Sequence, residues 1–356
     1  MSGLMILAGG TGGHVMPALA VAKKLQQRGM DVRWIGNADG LEAHLVPEAG
    51  LELDFINIKG LRQSGIKRKL IMPFMLLQAC FQALVIILKH RPDVVLGMGG
   101  FVSGPGGLVA ALLRKPLVVH EQNAVAGLTN RVLSIVATKV LSGFPAAKGI
   151  DEVLWVGNPV RQQILDVPPP SERLKDRDGP LRIFVVGGSQ GAQVFNVQLP
   201  GLLYQAKLRG MEVLHQCGEG KMQSVLEAYK RAGVDARVEE FVDDMAAAYA
   251  WSDIVICRAG AMTVSEICAV GAVALFVPYP YAVNEHQAYN ANYLAKAGAA
   301  MSLSQDKFVA GKWTSKLGSL DQDRSELLKI ANKAYAMAKP EAADSVADIC
   351  EVLANA

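Results

Sequence analysis

The stretch ILAGGTGGHVMPALAVAKKL, residues 6–25, decides the fold. Apolar residues run into Gly9, Gly10, Gly12 and Gly13 around Thr11. His14 follows, and from Pro17 the apolar positions recur with helical spacing until Gly29. A buried strand that turns through glycines straight into a helix is the opening of a parallel α/β sheet. Glycine is needed where φ is positive or where another group comes close to the backbone. The N–H groups of such a turn, with the helix N-terminus behind them, suit an anion, and phosphate is the default ligand. The common phosphate loops do not match. GxxxxGK[ST] is absent, and Val15 stands where the dinucleotide fingerprint has its third glycine.

Outward from this stretch the same theme recurs. LMILA (4–8), DVRWIG, PDVVLGMGG (92–100) and KPLVVHEQN (115–123) read as strands that end in loops, with helical segments between them. After DVPPPSERLKDRDGP (166–180), a proline-rich and charged connector, LRIFVVGGSQGAQVFN brings back a strand (181–186) running into Gly187, Gly188 and Gly191. DIVICRAG (253–260) and AVALFVPYP (272–280) add two strands, and the chain ends in helical sequence broken at Pro340. The fold class is α/β, two doubly wound Rossmann-like domains. Residues 1–160 form the first and 161–340 the second, and a last helix, 341–356, is expected to pack back on the first.

Composition bounds the function. The 356 residues are 51% hydrophobic and 19% charged, enough for two buried cores. A net charge of +3 gives no nucleic-acid signal. The charge is uneven, with 16 Lys/Arg against 10 Asp/Glu in residues 1–160 and 20 against 23 in the rest, so the first half prefers anionic neighbours. The scattered Cys80, Cys217, Cys257, Cys268 and Cys350 form no CxxC, which predicts a reduced, cytosolic protein. Residues 1–8 lack a basic leader, so no signal peptide is expected.

Several residues carry candidate chemistry. Thr11 and Ser189 add a hydroxyl to each glycine turn, which favours ligand binding over a bare βα turn. His14 opens a helix, whose positive end favours the neutral imidazole that a general base requires. It is either that base or a surface residue of the first turn. Thr263 and Glu266 have capping-box spacing, which leaves Glu266 either a helix cap or an acceptor for sugar hydroxyls. The six histidines have no metal-ligand spacing. Asp176-Arg177-Asp178 and Asp321-Gln322-Asp323 lie in polar stretches and read as solvated turns.

GGTGGHVMPALAVA, GMGGFVSGPGG, HEQNAVAGLTNR, GNPVR, VVGGSQGA, RAGAMTVSE and HQAYNAN occur in that order. In these blocks the chain closely resembles the MurG family of bacterial N-acetylglucosaminyltransferases, over nearly its whole length. The resemblance implies the GT-B fold, two Rossmann-like domains separated by a cleft. It implies an inverting transfer of GlcNAc from UDP-GlcNAc to the MurNAc 4-hydroxyl of lipid I (undecaprenyl-pyrophosphoryl-MurNAc-pentapeptide), forming lipid II for peptidoglycan synthesis. It calls for no metal and no cofactor. Carried over by motif, Ser189 and Arg161 belong near the diphosphate and Val242 at the uracil. Ala261, Met262, Thr263, Val264, Ser265 and Glu266 belong at the ribose and phosphates, with Glu266 on the ribose hydroxyls. Gln287 and Asn123 would reach the GlcNAc. Thr11, Gly12, Gly13 and His14 would border the reaction centre. His14 is the first candidate for the base. Glu121 is the second, unless it only braces the loop after its strand. The variable loop 281–285 carries no assignment.

LIMPFMLLQACFQALVIIL (70–88) is uncharged and long enough to span a membrane. Pro73, Gln78 and Gln82 argue for a mostly buried crossover helix instead. Its start places Lys67, Arg68 and Lys69, with Lys59 and Arg62 before them, beside Ile71, Met72, Phe74 and Met75. Basic and apolar side chains together let a protein lie on an anionic bilayer. This predicts peripheral attachment to the cytoplasmic face of the bacterial membrane, with other cell-wall synthesis proteins as candidate partners. Three other readings stay open: a UDP-GlcNAc 2-epimerase, a nicotinamide oxidoreductase and a noncatalytic nucleotide-sugar-binding subunit.

Overall fold

The computed structural model describes residues 2–58, 66–175 and 177–356, without the side chains of residues 66–71. The chain divides into two compact units, Met1–Arg161 with Lys339–Ala356, and Gln162–Ala338.

The first unit is built on seven parallel strands: β1 (Gly3–Ala8), β2 (Asp31–Gly36), β3 (Glu52–Phe55), β4 (Val94–Gly99), β5 (Leu117–Glu121), β6 (Lys139–Ser142) and β7 (Leu154–Trp155). Their order is β3-β2-β1-β4-β5-β6-β7. β1 is apolar on both faces because both are covered. Leu4 and Ile6 face one core, which the helices Gly12–Gln27 and Ala342–Ala354 complete with Val21, Leu25, Val346 and Cys350. Met5 and Leu7 face the other, closed by Ala79, Ala83 and Ile87. Lys24 and Arg28 hold the last helix through Asp344, at 3.0 and 2.9 Å.

The helix Ile66–His90 departs from the expected buried crossover helix. It turns small residues, Ala79 and Ala83, to the sheet. Ile86 and Ile87 are buried with them, whereas Phe74, Leu77, Phe81, Val85 and Leu88 form an exposed stripe at helical spacing, with Phe74 73% and Phe81 67% exposed. The segment Met72–His90 is long and apolar enough to cross a membrane by length and composition alone, a test that the core helix of a soluble protein also passes. Lys59 and Arg62 lie outside the described residues, as do the side chains of Lys67, Arg68, Lys69 and Ile71.

The second unit repeats the plan with β8 (Leu181–Val186), β9 (Met211–Gln216), β10 (Arg237–Glu239), β11 (Ile254–Cys257), β12 (Val273–Phe276) and β13 (Met301–Ser302). The order is β10-β9-β8-β11-β12-β13, again parallel. In each sheet the order reverses beside the first strand, between β1 and β4 and between β8 and β11, where such sheets bind ligands. One sequence expectation fails here. Asp321 is not a solvated turn residue but ends the helix Thr314–Gln322, buried, accepting the Arg209 N–H and pairing with Arg324. Asp323 caps the helix Arg324–Tyr335. Asp176 lies outside the described residues, and Asp178 is exposed.

Candidate active site

At the switch point of the first unit, Gly10 adopts φ +94° after β1. Its N–H does not await a ligand. It donates to Glu42 Oε2 at 2.9 Å, and the Asn37 N–H donates to Glu42 Oε1 at 2.9 Å. Glu42 is wholly buried. A Cβ at Gly9 or Gly40 would overlap its carboxylate, and one at Gly36 would sit 2.6 Å from its Cγ. These glycines make room for a buried carboxyl group, so the Gly10 N–H is committed within the chain. Glu42 lies 32 residues from Gly10 and carries no motif, so sequence reasoning missed it.

Thr11 is the N-cap of the helix Gly12–Gln27, exposed and without a side-chain cap bond. Gly12 and Gly13 form its first turn, so the helix begins five residues before Pro17. His14 is half-exposed, with Nδ1 3.0 Å from Gln122 Oε1, just beyond β5. Gly99 (φ +97°) leaves space for the ring, since a Cβ there would lie 2.7 Å from His14 Nδ1.

The second candidate base, Glu121, is engaged within its own loop. It is 1% exposed. Oε1 accepts the Asn123 N–H (2.9 Å) and Nδ2 (3.2 Å), and Oε2 accepts the Gly127 N–H (3.1 Å) and Asn130 Nδ2 (2.9 Å). Four donors on two oxygens make it a brace for the loop that carries Asn123. Arg161 ends this unit.

In the second unit the turn after β8 is different. Gly188 has φ +89°, and a Cβ at Gly191 (φ +68°) would overlap the Cys217 carbonyl. Among the described residues, none of the N–H groups of 187–190 donates to a carboxylate of the chain. Ser189 is exposed, and Lys221 Nζ reaches the Gln190 carbonyl at 2.6 Å, putting a cation beside the turn that the motif did not announce. Across the same switch point Gly260 caps the helix Ala261–Val270 without a side-chain bond. The Val264 N–H is the first one bonded, to the Gly260 carbonyl at 2.9 Å. The amides of Ala261, Met262 and Thr263 therefore form the open helix end.

Thr263 lies inside the helix, so the capping-box reading fails. Val264 buries its side chain, and Ser265 Oγ donates to the Ala261 carbonyl at 3.0 Å. Glu266 is buried and accepts the Tyr249 hydroxyl at 3.0 Å.

Val242 follows β10 with its side chain buried, and Gln287 lies in the first turn of the helix His286–Lys296, its Oε1 accepting the Tyr279 N–H at 2.8 Å. Arg258, in RAGAM, anchors the loop after β12. It donates to the Val277 and Pro278 carbonyls and to Gln305 Oε1, between the Phe195 and Tyr279 rings. Burial lowers its pKa. A cavity of about 970 Å³ runs along β9 and β10 past Val242, lined by Met211, Arg237 and Trp251, away from the switch point. Among the described residues no cluster of His, Cys, Asp or Glu is placed to hold a metal ion.

The chain is similar to several known proteins. Residues 4–142 match the glycosyltransferase family 28 N-terminal domain, and residues 182–351 match its C-terminal domain. The UDP-N-acetylglucosamine–N-acetylmuramyl-(pentapeptide) pyrophosphoryl-undecaprenol N-acetylglucosamine transferase of Pectobacterium carotovorum is 52% identical over 97% of this chain and 93% of its own. The crystal structure of Acinetobacter baumannii MurG superposes with a TM-score of 0.85 at 40% identity, covering 99% of this chain and all of that one. A UDP-GlcNAc 2-epimerase from Neisseria meningitidis has a TM-score of 0.66 at 15% identity over 98% of this chain and 99% of that one, which shows a common fold alone.

Proposed function

The chain belongs to the family 28 glycosyltransferases, and from that membership we propose that it transfers GlcNAc from UDP-GlcNAc to the MurNAc 4-hydroxyl of lipid I, forming lipid II in peptidoglycan synthesis. The observation that carries this reading is the 52% identity, over 97% of the chain, to an enzyme named for that transfer.

A single displacement needs a base for the acceptor hydroxyl, alignment with C1, and stabilisation of the departing UDP. His14 is the base. What supports it is its half-exposed place at the switch point and the bond that holds its Nδ1. Thr11, Gly12 and Gly13 border the reacting hydroxyl. The open amides of 261–263, the Ser189 turn and Arg161 stabilise the diphosphate through oriented N–H dipoles and charge. Glu266 takes the ribose hydroxyls and Val242 the uracil, while Gln287 and Asn123 take the GlcNAc. Residues 1–160 with 341–356 serve the acceptor, and 161–340 serve the donor.

The acceptor's lipid tail requires a membrane. The exposed stripe from Phe74 to Leu88, following Lys67, Arg68 and Lys69 in sequence, supports peripheral attachment to the cytoplasmic face, with Met72 exposed and Met75 half-buried beside it. Other cell-wall synthesis proteins are candidate partners at that surface. The test is transfer of radiolabelled GlcNAc to a soluble lipid I analogue, with acceptor-free and EDTA controls. Acceptor-dependent labelling that survives EDTA is expected. UDP-GlcNAc binding without labelling would overturn the reading. Vesicle flotation of a Phe74→Ser/Phe81→Ser variant tests the surface, and undiminished binding to anionic vesicles would remove it.

A further inference from the structure

We propose that Gln122 and His120 are positioning residues that fix the tautomer of His14, so that its Nε2 carries the lone pair. The inference rests on the reading of His14 as the base.

The orientation of the Gln122 amide is forced by its surroundings. Gln122 is buried, and its Nε2 lies 2.9 Å from the Met98 carbonyl and 3.1 Å from the His120 carbonyl. Carbonyls only accept, so the amide nitrogen must face them. The flipped amide would set oxygen against two oxygens. Oε1 is therefore left for His14 Nδ1, at 3.0 Å. An amide oxygen also only accepts, so Nδ1 bears the proton, and in the neutral ring Nε2 is the acceptor.

A second histidine holds the amide from behind. His120 is wholly buried with Nε2 2.9 Å from the Gly157 carbonyl, so Nε2–H donates there. Its Nδ1 is then an acceptor, 3.2 Å from Gln122 Nε2, where it shares one of that nitrogen's two N–H groups with the His120 carbonyl. Desolvation by burial lowers the pKa of His120, which keeps the ring neutral and able to accept. The bonds run in one direction, from His14 through Gln122 and His120 to the Gly157 carbonyl. A neutral amide orients the base without adding a charge beside it. The nearby carboxylate that could have added one, Glu121, is committed to its four donors. Glu121 ends β5 and Gln122 lies just beyond it, and the two side chains bond separate sets of partners.

The test is ¹⁵N NMR of the imidazole rings in the full chain, wild type against Gln122→Met, at a pH where His14 is neutral. The wild-type ring is expected to show a pyrrole-type shift at Nδ1 and a pyridine-type shift at Nε2, and the variant a mixture of tautomers. In the transfer assay Gln122→Met should lower kcat roughly tenfold with KM for UDP-GlcNAc unchanged, and should add nothing to His14→Ala. A wild-type ring protonated at Nε2, or a variant ring that keeps the wild-type tautomer, overturns the proposal. The wild-type measurement needs no variant to fold. Full turnover by His14→Ala would overturn the base reading alone, because the ring shifts report the tautomer whatever His14 does.

Discussion

Gly10 and Gly188 follow the first strand of their sheets in the same left-handed conformation, at φ +94° and +89°, yet the two turns hold different things. The first closes on the buried carboxylate of Glu42, which takes the Gly10 N–H. The second carries no such carboxylate and has Lys221 beside it. A carboxyl group of the chain takes an N–H of one turn, whereas the described N–H groups of the other donate to none. A glycine turn thus signals a backbone geometry, and a residue far away in sequence decides whether a ligand can use it. In the first unit the proposed base, His14, follows the turn and is held by Gln122.

The largest effect expected from this contrast is catalytic. His14→Ala should lower kcat by about 10²–10⁴-fold and leave UDP affinity unchanged. Glycosyl transfer at the wild-type rate would break the division of labour between the turns. Glu42→Ala removes the buried acceptor shared by the Gly10 and Asn37 N–H groups and should destabilise the first unit by about 2 kcal/mol. Hydrogen exchange at Gly10 and Asn37 would read it, and unchanged protection would show that Glu42 does not hold the turn.

Acid provides the third test. Burial pushes His215 down to about 3, while an unfolded histidine titrates near 6.5, so below about 6.5 the unfolded chain binds a proton that the folded second unit refuses. Stability should then fall by about 1.4 kcal/mol per pH unit on acidification towards pH 3, in urea melts at stepped pH. His120 adds the same sign in the first unit. A melt flat from pH 7 to 5 would contradict the burial of both rings. The smallest effect is expected from Ser189→Ala, a loss of about fivefold in UDP affinity by calorimetry, worth about 1 kcal/mol. The matching Thr11→Ala should leave UDP affinity alone, and equal losses in both variants would erase the comparison.

Much of the fold was legible because parallel strands buried on both faces are short apolar runs, and glycines mark their ends. The Rossmann-like sheets and the placement of His14, Ser189 and the 261–266 segment follow from that. Contacts between distant residues were not legible. Nothing local marks Glu42 as the occupant of the first turn, or Asp321 as a buried partner of Arg324. Thr263 and Glu266 mimic a capping box, and only the strand end at Cys257 shows that the helix starts at Ala261. Glu121 and Gln122 are equally polar in sequence, and the direction each side chain takes separates brace from positioner. The exposed stripe on the helix Ile66–His90 could have been read from the spacing of Phe74, Leu77, Phe81, Val85 and Leu88, had the small residues Ala79 and Ala83 been weighed as the buried face.

The most direct measurement is a UDP titration of the full chain followed through its backbone amides by TROSY NMR. Saturable shifts should concentrate at 187–191 and 260–263, while the Gly10 amide keeps its Glu42 bond and its position. Saturable movement of Gly9 and Gly10, with 187–191 unmoved, would contradict the account.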